Sequence, residues 1–537
     1  MSLVKIRGFR ARVVAAALLC LSSSFGIGAV PAARAAEADS GQPLTLEQAI
    51  EHALEKNENI VIQRAALDSA EASVEGAHGA YDPQLTVGAG WEKVTSPVNS
   101  SFSGAPAGEL APSDRTGQAN ASLDQLLPTG AQLSVTSSSS RVTTNGAFVF
   151  LSPAYQTQLG VEVRQPLLRD RAIDSARYGL RVAAADRDQA QAALRRQVTE
   201  TVAAVEQAYW SLVAARRAVD VEQEAIDLAE KQLSETRIRI DAGTSPETEI
   251  AQPQAELERR RGDLLAAREA AARAETALKR LILGAQDDLW AERLDPVDTP
   301  EIPVEPVDVQ AAMTRALASR PELDAAKATV ERRRAESAFA KNRILPSLDL
   351  VASYDRFGLK GSRNPSGSSF PGLPSDVPQG LEGNLGDAVG QLASSDYDDA
   401  RLSLQLQVPL GNRAARANAR IAADTERQAE ADVAGTQKAI RAEVLDAAAA
   451  VETAAGRIDA ARAERKAAQV QLSAEQDRFS AGLSTNFLVL TRQNDLASAR
   501  LSEIQALTDY RAALAEMARA TGSLLDERHV EIQPSPK

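Results

Sequence analysis

Two hydrophobic periods alternate along the chain. From Ala172 to Ile240 apolar residues recur at spacings of four and three, through Val198, Val202, Val205, Tyr209 and Leu212 to Val219, Ile226 and Leu233. That is one narrow helical stripe with polar flanks, the pattern of a coiled coil. No proline interrupts the stretch and only Gly179 departs from good helix formers; at about 1.5 Å per residue the helix is on the order of 100 Å long. A second seam of smaller residues runs through Ile440, Val444, Ala447, Val451, Ala454, Ile458, Ala468 and Leu472. Alanine at alternate seam positions lets a neighbouring helix approach closely. Arg216, Gln223, Glu230 and Arg465 fall on the seams and weaken them there. Helices alone fit a spectrin-like rod or a dimeric coiled coil.

The second period is two residues, and it excludes a plain rod. Leu402, Leu404, Leu406 and Val408 alternate with Ser403, Gln405 and Gln407, and Leu159, Val161 and Val163 alternate with Gly160, Glu162 and Arg164. Leu85, Val87, Ala89 and Trp91 form another such face, matched by Leu348, Leu350, Ala352 and Tyr354. Apolar-out, polar-in alternation with aromatics near the rim predicts strands of a membrane barrel. A soluble sandwich also alternates, but its strands are not bracketed by helices of this length. Pro128-Thr129-Gly130 predicts a tight turn between two further strands, so each copy of the chain offers four strands or six. Four strands cannot close around a lumen and open edges cannot face lipid, so the barrel must be shared between chains.

The plan occurs twice. Residues 46–92 align without a gap on 309–355, with Ala53-Leu54 on Ala316-Leu317, Pro83 on Pro346 and Leu85 on Leu348. Each copy passes through a polar loop region, roughly Lys93–Gly117 and Gly358–Asp396, to a strand–proline–helix junction at Pro166 or Pro409. The first repeat, 36–284, is expected to hold helices at 46–82, strands and loops at 83–165, a long helix at 167–241, a tip at 241–249 and a return helix at 246–283. The second, 307–522, places the same parts at 308–344, 345–408, 412–480, 480–486 and 485–521. A proline-rich connector at 285–306 joins them and a tail follows at 523–537. At the tips Gly243 and Gly482 are the residues able to leave a helix with positive φ, and Ser245, and Ser484 or Thr485, are candidates to cap the returning helix.

The first residues form a separate segment. Lys5, Arg7, Arg10 and Arg12 precede an apolar run from Val13 to about Val30, and Ala33-Arg34-Ala35 supplies small residues for cleavage, which predicts a signal peptide over 1–35. Gly26, Gly28 and Pro31 interrupt the competing reading of a membrane-spanning helix. Cys20 is the only cysteine and follows Leu19 rather than a small residue, against lipidation. The mature chain then holds no cysteine, which removes disulfides and thiolate chemistry. Loss of the five basic residues in 1–35 moves the net charge from −13 to −18, a poor match to nucleic acid. Beyond that segment no run of eighteen apolar residues occurs, so a crossing of the membrane must be made by strands. His52, His78 and His529 stand in no metal-ligand spacing, and no phosphate loop, nucleophile elbow or HExxH occurs. The expectation is a non-enzyme without a cofactor.

The signal segment, the duplicated helix–strand–helix plan, the QPLL and VPLG junctions and the AGT and AGLSTN tips together resemble the TolC-like outer-membrane efflux protein family, over about residues 45–522. The resemblance implies a mixed α and β fold, with long antiparallel coiled-coil helices forming a trimeric α-barrel and strands contributed to a shared trimeric outer-membrane β-barrel. It implies a homotrimer in outer-membrane lipid, working with a periplasmic adaptor and an inner-membrane transporter in drug or metal efflux or type I secretion. The alternative is a periplasmic coiled-coil adaptor or scaffold without a channel. Pro166 and Pro409 then mark the barrel-to-helix junction. Gly243, Thr244, Ser245, Gly482, Leu483, Ser484 and Thr485 form the adaptor-contact tips. The family often has an acidic residue a few positions past the second glycine, near where Leu488 stands here, with Glu249 its nearest counterpart in the first copy. Asp241, Glu249 and Arg478 are the candidate gate charges.

Overall fold

The computed structural model describes residues 4–6, 41–97, 104, 109, 111–367, 377–394 and 396–532. The signal-peptide reading of 1–35 therefore lies outside the described residues apart from 4–6. The chain divides into two units, one from the described parts of Met1–Ser69, Asp188–Lys327 and Ala431–Lys537, the other from Ala70–Arg187 and Ala328–Glu430.

The first unit is helical. It holds α1 (Leu46–Lys56), part of α2 (Glu58–His78), most of α3 (Ser175–Asp241), α4 (Ala251–Ile282), α5 (Val309–Ser319), part of α6 (Pro321–Asn342), much of α8 (Arg413–Ser480) and α9 (Asn486–Thr521), whereas α7 (Leu385–Ser394) belongs to the second unit. Thr45 opens α1 with a capping box, its hydroxyl accepting from Gln48 N–H while the Gln48 side chain accepts from Thr45 N–H. Both predicted seams are core. Val198, Val202, Val205, Tyr209 and Leu212 have no exposed surface, and the alanine-rich seam from Ile440 to Leu472 is buried along its length. The polar seam positions recover part of their cost by pairing across helices. Arg216 meets Glu275 at 2.6 Å, Glu230 meets Arg261 at 3.5 Å, and Arg465 pairs with Glu503. A short parallel pair, Gln42–Leu44 with Leu294–Pro296, lies beside this core, and the fully buried Tyr209 hydroxyl joins it to Asp298 at 2.7 Å and to the Leu44 carbonyl at 3.0 Å.

The second unit is built on one antiparallel six-stranded sheet. Its strands, in spatial as in chain order, are β1 (Gln84–Thr95), β2 (Ser113–Leu126), β3 (Gln132–Thr144), β4 (Leu151–Pro166), β5 (Ser347–Arg363) and β6 (Asp398–Gln407). The first repeat thus gives four strands and the second only two. The β2–β3 hairpin is the extra part. In its place the second repeat has the ten-residue helix α7 (Leu385–Ser394). The predicted loops Lys93–Gly117 and Gly358–Asp396 are shorter than expected, because β1 runs on to Thr95, β2 starts at Ser113 and β5 continues to Arg363. Serines and glycines there break the apolar alternation, so nothing in the sequence marks those strand ends.

Candidate functional site

The sheet register sorts the strand side chains into two faces, since directly paired residues share a face. Leu85 pairs with Leu123, Leu123 with Val135, Val135 with Val161 and Val161 with Tyr354. Leu348 pairs with Leu406, Leu350 with Leu404 and Ala352 with Leu402. One face is therefore apolar across all six strands and open over most of its area, with Leu402 and Trp91 75% and 70% exposed, while α7 covers its outer end on β4 and β5, where the Ala388 carbonyl accepts from Thr157 and the Leu392 carbonyl from Arg356, 3.0 Å each. The opposite face carries Ser122, Asn120, Ser134, Thr136, Glu162, Asp349 and Gln405. Within the chain β1 and β6 each have a neighbour on one side only.

The two strand-to-helix junctions differ. Pro166 is the last residue of β4 and is buried, and the next amide, Leu167 N–H, still donates to the Leu348 carbonyl at 2.7 Å. The helix does not begin at 167 as expected. Residues 167–174 form a loop, with Asp170 at φ 67, and α3 starts at Ser175, where the Asp174 carboxylate accepts the Arg177 amide at 2.7 Å as an N-cap. The Arg177 guanidinium fills the loop, donating to the Asp170 and Arg171 carbonyls, 2.7 Å each, and pairing with Asp174. The β2–β3 turn closes on the same cluster. Gly130 sits at φ 83, where a side chain is strained, and a Cβ there would lie 3.0 Å from the Asp170 carbonyl, so this turn favours glycine. In the second repeat Pro409 is exposed and outside the strand, Gly411 and Asn412 take positive φ, and Asn412 bonds the Ile344 carbonyl at 2.8 Å before α8 begins at Arg413.

The two tips share one geometry. At the end of α3, Gly243 N–H bonds the Ile240 carbonyl and Thr244 N–H the Arg239 carbonyl, 2.9 Å each, with Gly243 at φ 71. At the end of α8, Gly482 N–H bonds Phe479 and Leu483 N–H bonds Arg478, with Gly482 at φ 75. Both are Schellman caps, in which a left-handed glycine lets two terminal carbonyls be satisfied. The caps expected for the returning helices are not made. Ser245 leads instead to Pro246 and a single 3₁₀ turn, Glu247–Ile250, before α4. The Ser484 hydroxyl donates to Glu475, and Thr485 sits at the N-cap of α9 with no side-chain bond.

The candidate gate charges do not meet. Arg478 pairs with Glu475 on its own helix at 3.5 Å, while Asp241 and Glu249 are exposed and make no ion pair among the described residues. Other side chains tie the tips together. Gln232 donates to Asn486 at 2.7 Å, Asn486 donates to Thr236 at 3.2 Å, and all three are buried. Arg239 lies over the Phe479 ring, 4.0 Å from its centroid, and donates to the Phe479 carbonyl at 3.2 Å. Sequence reading missed these five because each is a polar or aromatic residue on an ordinary helical face, and their shared signal is only proximity to a tip glycine. Among the described residues no group of His, Cys, Asp and Glu is arranged for a metal, and no helix is long and apolar enough to cross a membrane.

Duplicated long helical hairpins in one unit and a two-faced six-stranded sheet in the other are the parts of the outer-membrane channel class. The sequence matches the outer membrane efflux protein family over residues 49–284 and 312–523, and the chain belongs to that family. The family resides in the outer membrane with a periplasmic helical extension. The chain is 23% identical over 320 residues to the outer membrane efflux protein BepC of Brucella suis biovar 1 (strain 1330). That match spans 59% of this chain and 62% of the relative's length. In fold it is similar to the outer-membrane channel OprN, at a TM-score of 0.61 and 17% identity over 91% of each chain. It is likewise similar to the MtrE outer membrane channel of Neisseria gonorrhoeae, at 0.58 and 18% over 89% of each.

Proposed function

We propose that three copies of this chain form an outer-membrane duct that passes substrates delivered by a periplasmic adaptor and an inner-membrane pump. The observation that carries this reading is the six-stranded sheet with one apolar face, one polar face and two open edges. Lipid offers no partner to unpaired backbone groups, so β1 of one copy must pair with β6 of the next. Three six-stranded sheets close as eighteen strands, a size class in which barrels of about 16–18 strands enclose an aqueous lumen. The polar face, rich in Ser, Thr, Gln and Asn, lines it. No catalytic or cofactor role is assigned; energy comes from the partner pump.

Pro166 and Pro409 mark where the barrel gives way to helices. The tips Gly243–Ser245 and Gly482–Thr485 are the adaptor surface, presented by two matched Schellman caps with Leu483 80% exposed. Asp241 and Glu249 remain the carboxylates available there for charges of a neighbouring copy or adaptor, and Glu475 competes with them for Arg478. An adaptor or scaffold without a channel fits poorly, because such a protein has no use for a bare apolar face on six strands. The experiment is fractionation followed by unheated and heated gels. Enrichment in the outer membrane with a heat-sensitive trimer supports the duct, and a soluble monomer overturns it.

A further inference from the structure

The apolar face does not stay apolar to its outer end. Trp91 shares a lateral row with Gly117, Arg141, Tyr155 and Lys360, and the next row outward on β1 and β2 pairs Lys93 directly with Arg115. Arg141 is diagonal to Arg115, since Arg115 pairs with Thr143 and Gly117 with Arg141. Arg356, two positions beyond Tyr354, lies on the same face. Asp398, opposite Arg356, is the only carboxylate that the strands put there; the others point to the polar face.

Height in a membrane follows from the duplication. Trp91 and Tyr354 hold equivalent places in the two repeats, yet Tyr354 stands six residues inward of the row that contains Trp91. That offset over four strands is the slope expected of strands tilted by roughly 40°. Corrected for it, Lys93, Arg115, Arg141 and Arg356 all fall about two to four residues beyond the aromatic level, roughly 5–9 Å farther out. They form one basic arc just outside the aromatic rim.

Three members of the arc have no counter-charge. Lys93, Arg115 and Arg141 are exposed and make no ion pair among the described residues, whereas Arg356 is held by the Tyr354 hydroxyl and the Leu392 carbonyl. The loop 96–112 has a single charged residue, Glu109, whose carboxylate accepts from Asn145, and the loop 145–150 has none. Like charges directly opposed across two strands are destabilising without a counterion. Two of the three cations come from the β2–β3 hairpin, which the second repeat lacks.

We infer that Lys93, Arg115 and Arg141 form an outward-facing site for the phosphorylated headgroups of the glycolipid leaflet around the barrel. The inference rests on the outer-membrane barrel reading above. Guanidinium groups bind phosphate oxygens in pairs, the aromatic rim sets their depth, and a leaflet of phosphorylated lipid supplies anions at that height. The site acts as an anchor that holds a shell of lipid against the extra hairpin of each copy.

The test uses the full-length protein in phosphatidylcholine vesicles doped with fluorescent diphosphoryl lipid A, after each sample is shown to be a heat-sensitive trimer. Absence of the trimer in the unaltered protein would overturn the barrel reading itself and is read separately. Lys93→Gln/Arg115→Gln/Arg141→Gln is expected to bind labelled lipid A about a hundredfold more weakly, at roughly fivefold per charge. Arg401→Gln on the polar face is expected to bind as the unaltered protein does, and a phosphate-free lipid A analogue or inorganic phosphate at equal concentration should not displace the label. Should the triple variant fail to assemble, Arg115→Gln alone carries the test at about fivefold. Unchanged affinity in the cation variants, or displacement by inorganic phosphate as effective as by lipid A, overturns the inference.

Discussion

Arg239 on α3 lies over the ring of Phe479 on α8, 4.0 Å from its centroid, and donates to the carbonyl of the same residue at 3.2 Å. A partly desolvated cation–π contact contributes about 1–2 kcal/mol. This one pair ties the end of the first long helix to the end of the second, within the last turn before each tip glycine. Arg239→Gln and Phe479→Leu should each loosen the tips, and together should cost less than the sum of the two. Single-channel recording in planar bilayers checks this: each variant is expected to open more often than the unaltered duct, with no added effect in the double variant. Additive effects would show that the two residues act separately.

The buried trio Gln232, Asn486 and Thr236 gives a second prediction. Asn486→Leu removes the partner of two buried polar groups, and an unsatisfied buried group costs about 1–3 kcal/mol. Thermal melting should fall in Asn486→Leu and recover in part when Gln232→Leu is added, because the second change removes one orphaned amide.

Glu206 supplies a pH test. It is only 2% exposed and is held by Arg528, whose Nε donates at 3.2 Å. Burial raises its pKa above the ordinary 4.5, and Arg528 lowers it in opposition. A carboxyl with a raised folded pKa holds its proton more tightly when folded, so its contribution is most favourable below the unfolded pKa and is lost as pH rises through the folded one. Arg528→Met removes the opposing cation and leaves a buried carboxylate, at a cost of about 3–5 kcal/mol near neutral pH. Melting of this variant should approach that of the unaltered protein as pH is lowered toward 4.5. A pH-independent deficit would mean that Arg528 acts by packing alone.

The sheet faces make a third kind of claim. Leu404 pairs with Leu350 and Leu348 with Leu406 on the apolar face, whereas Gln405 pairs with Asp349. Arginine at Leu404 or Leu348 should cost about 2–4 kcal/mol near the midplane and reduce trimer yield. Gln405→Arg should be tolerated, since it faces water and a carboxylate. Equal trimer yields for Leu404→Arg and Gln405→Arg would reverse the assignment of faces.

At the tips, Gly243 and Gly482 hold left-handed conformations with open space around the missing Cβ. Replacement by valine or leucine costs about 1 kcal/mol or more in backbone strain, not through a clash. Trimers should persist while export falls. Single cysteines at Ser245 and Ser484 should cross-link to an adaptor. Normal export by both tip variants with no cross-link would leave the tips as ordinary turns.

Most of the architecture is legible in the sequence, because long seams and strict alternation are strong periodic signals. The buried stripe from Val198 to Leu233 and the face from Leu85 to Trp91 could be read residue by residue. The β2 strand could not: Ser113 to Gln118 offers no apolar alternation, and only pairing with β1 and β3 reveals it. The sequence puts the start of α3 at 167, eight residues early, because loop residues 167–174 carry no proline or glycine after Pro166, and the cap that sets the boundary depends on Asp174 meeting Arg177. The tip pairs were invisible for a similar reason, since Arg239 and Phe479 come together only through tertiary packing.

In the proposed duct the open edges of the sheet, β1 and β6, pair between copies to close one shared barrel. Removal of the signal segment would leave the chain without cysteine, so introduced ones report cleanly. A cysteine at Leu404 combined in turn with one at Val87, Ala89 or Trp91, oxidised in intact outer membranes, measures the pairing directly. At least one combination should yield covalent trimers, absent from every single-cysteine protein. Covalent species that stop at dimers, or none in any combination, would contradict it.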